Sequence, residues 1–190
     1  MTLSRLRPTP GPAVRWIVLA ALSHCGAFGQ GGAAAVPFPD VKDMTTLRMT
    51  LTRSMCFGTC PDYTVEVRGD GAVEFTGRRF VFVVGNQHGR ISPGAVTELL
   101  AEFRRADFFS LKDSYASMAT DYPTYTVGIE FDGRKKSVRD YAGRSVGMPE
   151  AVTILEQAID RLSGAGKWIR NPAKVGTTSG PPAEKHNYIP

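Results

Sequence analysis

The chain has 190 residues, enough for one ordinary domain with flanking segments and too few for two of usual size. An apolar share of 42% and a charged share of 22% exclude a disordered or fibrous chain. The net charge of +5 suggests nucleic acid only until its placement is read. Arg5, Arg7 and Arg15 are the only charged side chains before Asp40, and removing them from the 23 Lys and Arg leaves 20 against 18 Asp and Glu. The longest basic block beyond them is Arg134-Lys135-Lys136, too short for a phosphate track, so nucleic acid is excluded as a partner.

The three N-terminal arginines precede an apolar run, Trp16 to Leu22, and small residues follow, with Ala27 and Gly29 placed for cleavage before Gln30. These are the parts of a secretory signal over 1–29, and the run is shorter than the ~20 residues of a membrane-spanning helix. Leu22-Ser23-His24-Cys25 partly matches a lipidation box, but His24 stands where a small residue belongs; Cys25 is either a lipid anchor or a cysteine lost with the signal. Residues 30–43, rich in Gly, Ala and Pro, read as a flexible linker. The domain is expected over 44–170, and 171–190, with four prolines and little apolar periodicity, reads as a disordered tail.

Within 44–170, Leu47, Met49 and Leu51 alternate with polar residues and predict a first strand. Tyr63, Val65 and Val67 alternate likewise; Gly69-Asp70-Gly71 turns the chain, and Val73 and Phe75 continue the inward face. The continuous apolar run Phe80 to Val84 predicts a strand covered on both sides, followed by a Gly85-Asn86-Gln87-His88-Gly89 turn. After Ser92-Pro93, a cap and first-turn proline, Val96, Leu99, Leu100 and Phe103 recur at helical spacing. Tyr125, Val127, Ile129 and Phe131 form one face of a strand, Asp132-Gly133 turns, and Arg134 to Tyr141 returns as a charged edge strand. A second helix starts near Pro149 with a stripe of Val152, Leu155, Ile159 and Leu162, and Gly164 follows as its C-terminal cap. The order ββββ-α-ββ-α predicts an α+β fold: an antiparallel sheet of about six strands with two helices on one face.

The sharpest local feature is Cys56-Phe57-Gly58-Thr59-Cys60-Pro61-Asp62-Tyr63. Once Cys25 leaves with the signal, Cys56 and Cys60 form an even pair in an oxidising compartment, which predicts a structural disulfide. Two other readings stand beside it. A thiol redox centre would use C-x-x-x-C spacing without the helix N-terminus that lowers a thiol pKa. A copper(I) site would take Cys56, Cys60 and His88, the one histidine of the domain, although a lone histidine in a polar turn is ordinarily solvated.

Hydrolytic chemistry has little support: the sequence has no H-E-x-x-H and no phosphate loop. Asp113, Asp121 and Asp140 could pair in space, but Asp121 is equally a turn residue before Pro123. Tyr115, Tyr122 and Tyr125 flank the link from Ala119 to Thr124, where they either bind or cover the sheet edge.

At these residues a resemblance appears. C-F-G-T-C-P-D-Y, the G-D-G hairpin, T-D-Y-P-T (Thr120 to Thr124) and D-G-R-K-K with Asp140-Tyr141 resemble the bacterial domain-of-unknown-function family 6438, from about Leu47 to Trp168. The resemblance implies a shared fold and an exported or lipid-anchored protein, and brings no catalytic residues. The reading is a non-enzymatic binding module of the bacterial envelope, periplasmic or secreted, with an envelope protein as its partner and no cofactor unless copper. Its contact surface is expected at Phe57, Asp62, Tyr63, Asp121, Tyr122 and Tyr125.

Overall fold

The computed structural model describes residues 37–171. The expected signal, Cys25 and all but the first residue of the expected tail lie outside them. Strand β1 (Arg48–Arg53) pairs antiparallel with β2 (Asp62–Arg68), which turns at Gly69-Asp70 into β3 (Ala72–Arg79). Asp70 closes that turn, its carboxylate accepting from the Ala72 amide at 2.9 Å. Strand β4 (Gly85–Arg90) pairs with β3, and helix α1 (Pro93–Arg105) follows, the Ser92 hydroxyl capping the Ala95 amide. A short strand β5 (Ser114–Ala116) precedes the hairpin of β6 (Thr124–Phe131) and β7 (Arg134–Tyr141). Asp132 and Gly133 both take positive φ at its turn, as a two-residue hairpin of this handedness requires. Helix α2 (Glu150–Leu162) and a single turn α3 (Gly166–Ile169) complete the chain.

The strands form one sheet in the order β4-β3-β2-β1-β6-β7-β5, antiparallel except for the β5–β7 pair. Alternation sends Met49, Leu51, Val65, Val67, Val127 and Ile129 to one face, where they share a core with Leu99 and Phe103 of α1 and Leu155 and Ile159 of α2. The other face carries Thr50, Thr52, Thr64 and Glu66, all partly exposed. The α+β class, the helix positions and the single buried face follow the sequence pattern, and the sheet is mixed with seven strands.

Four expectations need correction. Phe80 to Val84 is not a strand: Phe80 takes φ 55, and the amides of Phe82 and Val83 donate to the carbonyls of Ile169 and Trp168, so helix α3 replaces a neighbouring strand. The segment read as a turn, with His88 in it, is strand β4 instead. It is polar because it lies at the sheet edge, and Trp168 packs against the bare Gly89. Strand β7 is not an edge over its last three residues, because β5 pairs parallel with Arg139 to Tyr141 on its outer side. Last, the fold begins before residue 44. Phe38 stacks on Phe131 at 6.0 Å and meets Phe109 edge-on at 5.2 Å, while the Asp132 carboxylate accepts from the Lys42 and Asp43 amides.

Candidate functional site

Antiparallel pairing places three loops at the same end of the sheet: 54–61 between β1 and β2, 80–84 between β3 and β4, and 117–123 between β5 and β6. Loop 54–61 touches the strand ends beside both of the others. The Arg79 guanidinium approaches the Met55 sulfur at 3.6 Å, and Ser54 exchanges bonds with Thr124, its amide donating at 2.9 Å and its hydroxyl accepting at 3.1 Å.

Loop 54–61 holds the cysteine motif. The sulfurs of Cys56 and Cys60 lie at disulfide distance, with Cα atoms 5.5 Å apart. Gly58 between them has φ 154, outside the range comfortable for a side chain, and its amide donates to the Cys56 carbonyl. Phe57 is left 88% exposed. The neighbouring loops also expose apolar side chains: Phe80, Phe82 and Val84 on one, Met118 and Tyr122 on the other. Asp121, exposed, takes φ 71 at the turn before Pro123.

Beneath the loops a polar row crosses the sheet. Register sets Tyr63 of β2 beside Arg53 of β1, Arg53 beside Tyr125 of β6, Tyr125 beside Asp140 of β7, and Asp140 beside Tyr115 of β5. Helix α2 brings Glu156 and Asp160, one turn apart, into the same cluster. The buried Tyr63 hydroxyl donates to Asp160 at 2.7 to 2.8 Å, and the Arg53 guanidinium lies over the Tyr125 ring at 4.9 Å. Asp140, buried, accepts from the Gly143 amide at 2.6 Å; a Cβ on Gly143 would come within 2.7 Å of that carboxylate.

The charges in this row are unequal. Arg53 acts on the carboxyls of Glu156 and Asp160, and both its Nε and the Oε1 of Glu156 are buried without a hydrogen-bond partner among the described residues. Burial, reinforced by Asp140 and Asp160, pushes Glu156 up to about 9, so it holds its proton at neutral pH. Burial also raises Asp160 to about 6 against the opposing pull of the Tyr63 hydroxyl, Arg53 and Arg170. The Tyr63 hydroxyl is raised by burial and by Asp160, and stays protonated.

The structure treats the expected contact residues unequally. Phe57, Asp121 and Tyr122 lie exposed on the loops, whereas Asp62 is held by Arg78 at 2.6 Å and Tyr125 is half-buried in the polar row. Tyr63 is fully buried and is corrected from contact residue to floor, because its ring packs on Phe75 at 5.6 Å. His88 is not brought to the cysteines. It pairs with Glu74, which pairs with Glu66, four residues along β2 from Asp62, and no group of three or more His, Cys, Asp or Glu suited to a metal occurs among the described residues. The three aspartates do not gather either: Asp113 bonds Lys136 at 2.6 Å, Asp121 is exposed and Asp140 is buried. Sequence reading missed Arg53, Glu156 and Asp160. The signal for the two acids was legible, since Glu156 follows Val152 by four residues and Asp160 follows Glu156 by four, on the apolar side of α2.

The family model described as Domain of unknown function (DUF6438) matches residues 47–163. The chain belongs to the DUF6438 family. The match starts just before β1, ends just after α2, and takes in all seven strands, the cysteine loop and the polar row. No curated protein matches the chain. Phe38 and α3 thus extend the DUF6438 domain on both sides of the matched span. No helix of the described residues is long and apolar enough to cross a membrane.

Proposed function

We propose that this DUF6438 domain is a non-enzymatic interaction module of the bacterial envelope, exported and matured where thiols oxidise, and that its contact surface is the loop end of the sheet. One observation carries the reading. Of the large apolar side chains that the described residues expose, most stand at this end: Met55, Phe57, Phe80, Phe82, Val84 and Met118 among them. A folded domain ordinarily scatters such residues singly, and a gathered set marks a place where something else covers them.

The supports under the loops fit a preformed surface. Loop 80–84 keeps Phe80, Phe82 and Val84 in water while Val81 and Val83 pack on the core and its backbone is fixed to α3, and Phe80 holds a left-handed conformation unfavourable for a residue of its size. The close pairing of Cys56 and Cys60 supports an oxidised, structural cross-link that restrains loop 54–61. The test is a crosslinking pull-down from intact cells with Phe57→Ser, Phe82→Ser and Met118→Ser combined. We expect unchanged thermal stability and loss of the captured partner. Capture at the original level would overturn the reading.

A further inference from the structure

We infer that the occupant of the loop end is an anionic lipid surface, an inference that rests on the contact reading above and names the partner. Charge is stratified over two of the three loops, and the third, 117–123, carries the exposed Asp121. Loops 54–61 and 80–84 contain no charged residue at all, so everything their exposed phenylalanines would carry into a lipid interface is uncharged. Cations stand at the bases of the loops: Arg78 and Arg79 close β3, and Arg170 follows the α3 turn that holds loop 80–84. Of these Arg78 pairs with Asp62 and Arg170 acts on the Asp160 carboxyl, whereas Arg79 has no ion-pair partner among the described residues and approaches the Met55 sulfur.

An apolar layer bounded by basic side chains matches the order of a membrane surface, acyl chains first and phosphate headgroups around them. A protein partner of matching charge would need an apolar patch rimmed with acid. The backbone favours lipid, because a loop entering the interface must satisfy its own amides. The Phe82 and Val83 amides donate to α3 carbonyls at 3.0 and 2.9 Å, and the Gly58 amide to the Cys56 carbonyl at 2.9 Å.

Hydrogen exchange of the full chain tests this with vesicles of phosphatidylglycerol and phosphatidylcholine against phosphatidylcholine alone, because it reads peptides 54–61 and 80–84 separately from the N-terminal apolar run. Both peptides should gain protection on the anionic vesicles and little on the neutral ones. Phe57→Ser with Phe82→Ser should weaken vesicle-dependent protection by about tenfold or more, and Arg79→Glu by roughly tenfold on anionic vesicles alone. Thermal melts of each variant establish that the fold is intact. Unprotected loops on anionic vesicles, or equal protection in the variants, would overturn the lipid inference. If the loops stay unprotected while the serine variants still lose a crosslinked protein partner, the lipid occupant fails and the contact surface stands. If neither measurement responds to the loop variants, both fail.

Discussion

The Tyr63 hydroxyl donates to both oxygens of the Asp160 carboxylate, at 2.8 and 2.7 Å, and so joins the strand that follows the cysteine loop to helix α2. The bond is largely buried, and the other groups acting on Asp160 are the charges of Arg53 and Arg170. Tyr63→Phe should therefore destabilise the domain by about 1–3 kcal/mol, the cost of leaving a buried acceptor without its donor. Urea unfolding measures it, and Asp160→Asn with Tyr63→Phe should cost less than the two single changes added together.

The pH dependence of stability has a definite sign. Glu156 and Asp160 both bind a proton more tightly in the folded domain than their ordinary 4.5 and 3.8, at about 9 and about 6. What they contribute to stability is fully present below those ordinary values. It is lost as pH rises, through about 6 for Asp160 and about 9 for Glu156. Each group contributes a slope of up to about 1.4 kcal/mol per pH unit inside its window. Unfolding free energy between pH 6 and about 9 should accordingly fall, and Glu156→Gln, which keeps the shape and cannot ionise, should flatten the fall and stabilise the domain at pH 8. A wild-type stability that climbs over that range would contradict the buried-acid account.

Replacing both Cys56 and Cys60 by Ser should lower stability by about 2 kcal/mol, the value expected for opening so short a loop. The fold should survive, because Cys56 and Cys60 sit in loop 54–61 outside the shared core. Denaturant melts with and without reductant check the assignment: reductant should destabilise the natural chain and leave the double variant unmoved.

Phe38→Ala should cost about 1–3 kcal/mol, less than a fully buried Phe because the ring is only partly covered. It removes the contacts with Phe109 and Phe131 and the Arg104 guanidinium that lies over the ring at 5.5 Å. Thermal unfolding measures the effect, and no loss would mean that the domain starts at Leu47.

Legibility followed how local each signal was. The Ser92 cap, the Asp132-Gly133 turn and the stripes of α1 and α2 are written into adjacent residues, and the structure has them where the pattern says. The run Phe80 to Val84 reads as a strand because a continuous apolar run does not tell a buried strand from a loop whose inward Val81 and Val83 pack on the core while its amides bond to α3. Strand β5, three residues long, is too short for any period to show. Of the site, the cysteine pair and the exposed Phe57 and Tyr122 could be read directly. The strand part of the polar row could not, because it is made by register: Arg53 of β1 is far in sequence from the β6–β7 hairpin that sets Tyr125 beside Asp140.

The central claim is that the loop end is where this domain is touched. A photoreactive phenylalanine analogue placed at position 57 or 82, in intact cells, tests it most directly, with position 70 at the opposite sheet end as the comparison. We predict adducts, to lipid or protein, from 57 and 82 and none above background from 70. Adducts from 70 with none from 57 or 82 would contradict the account.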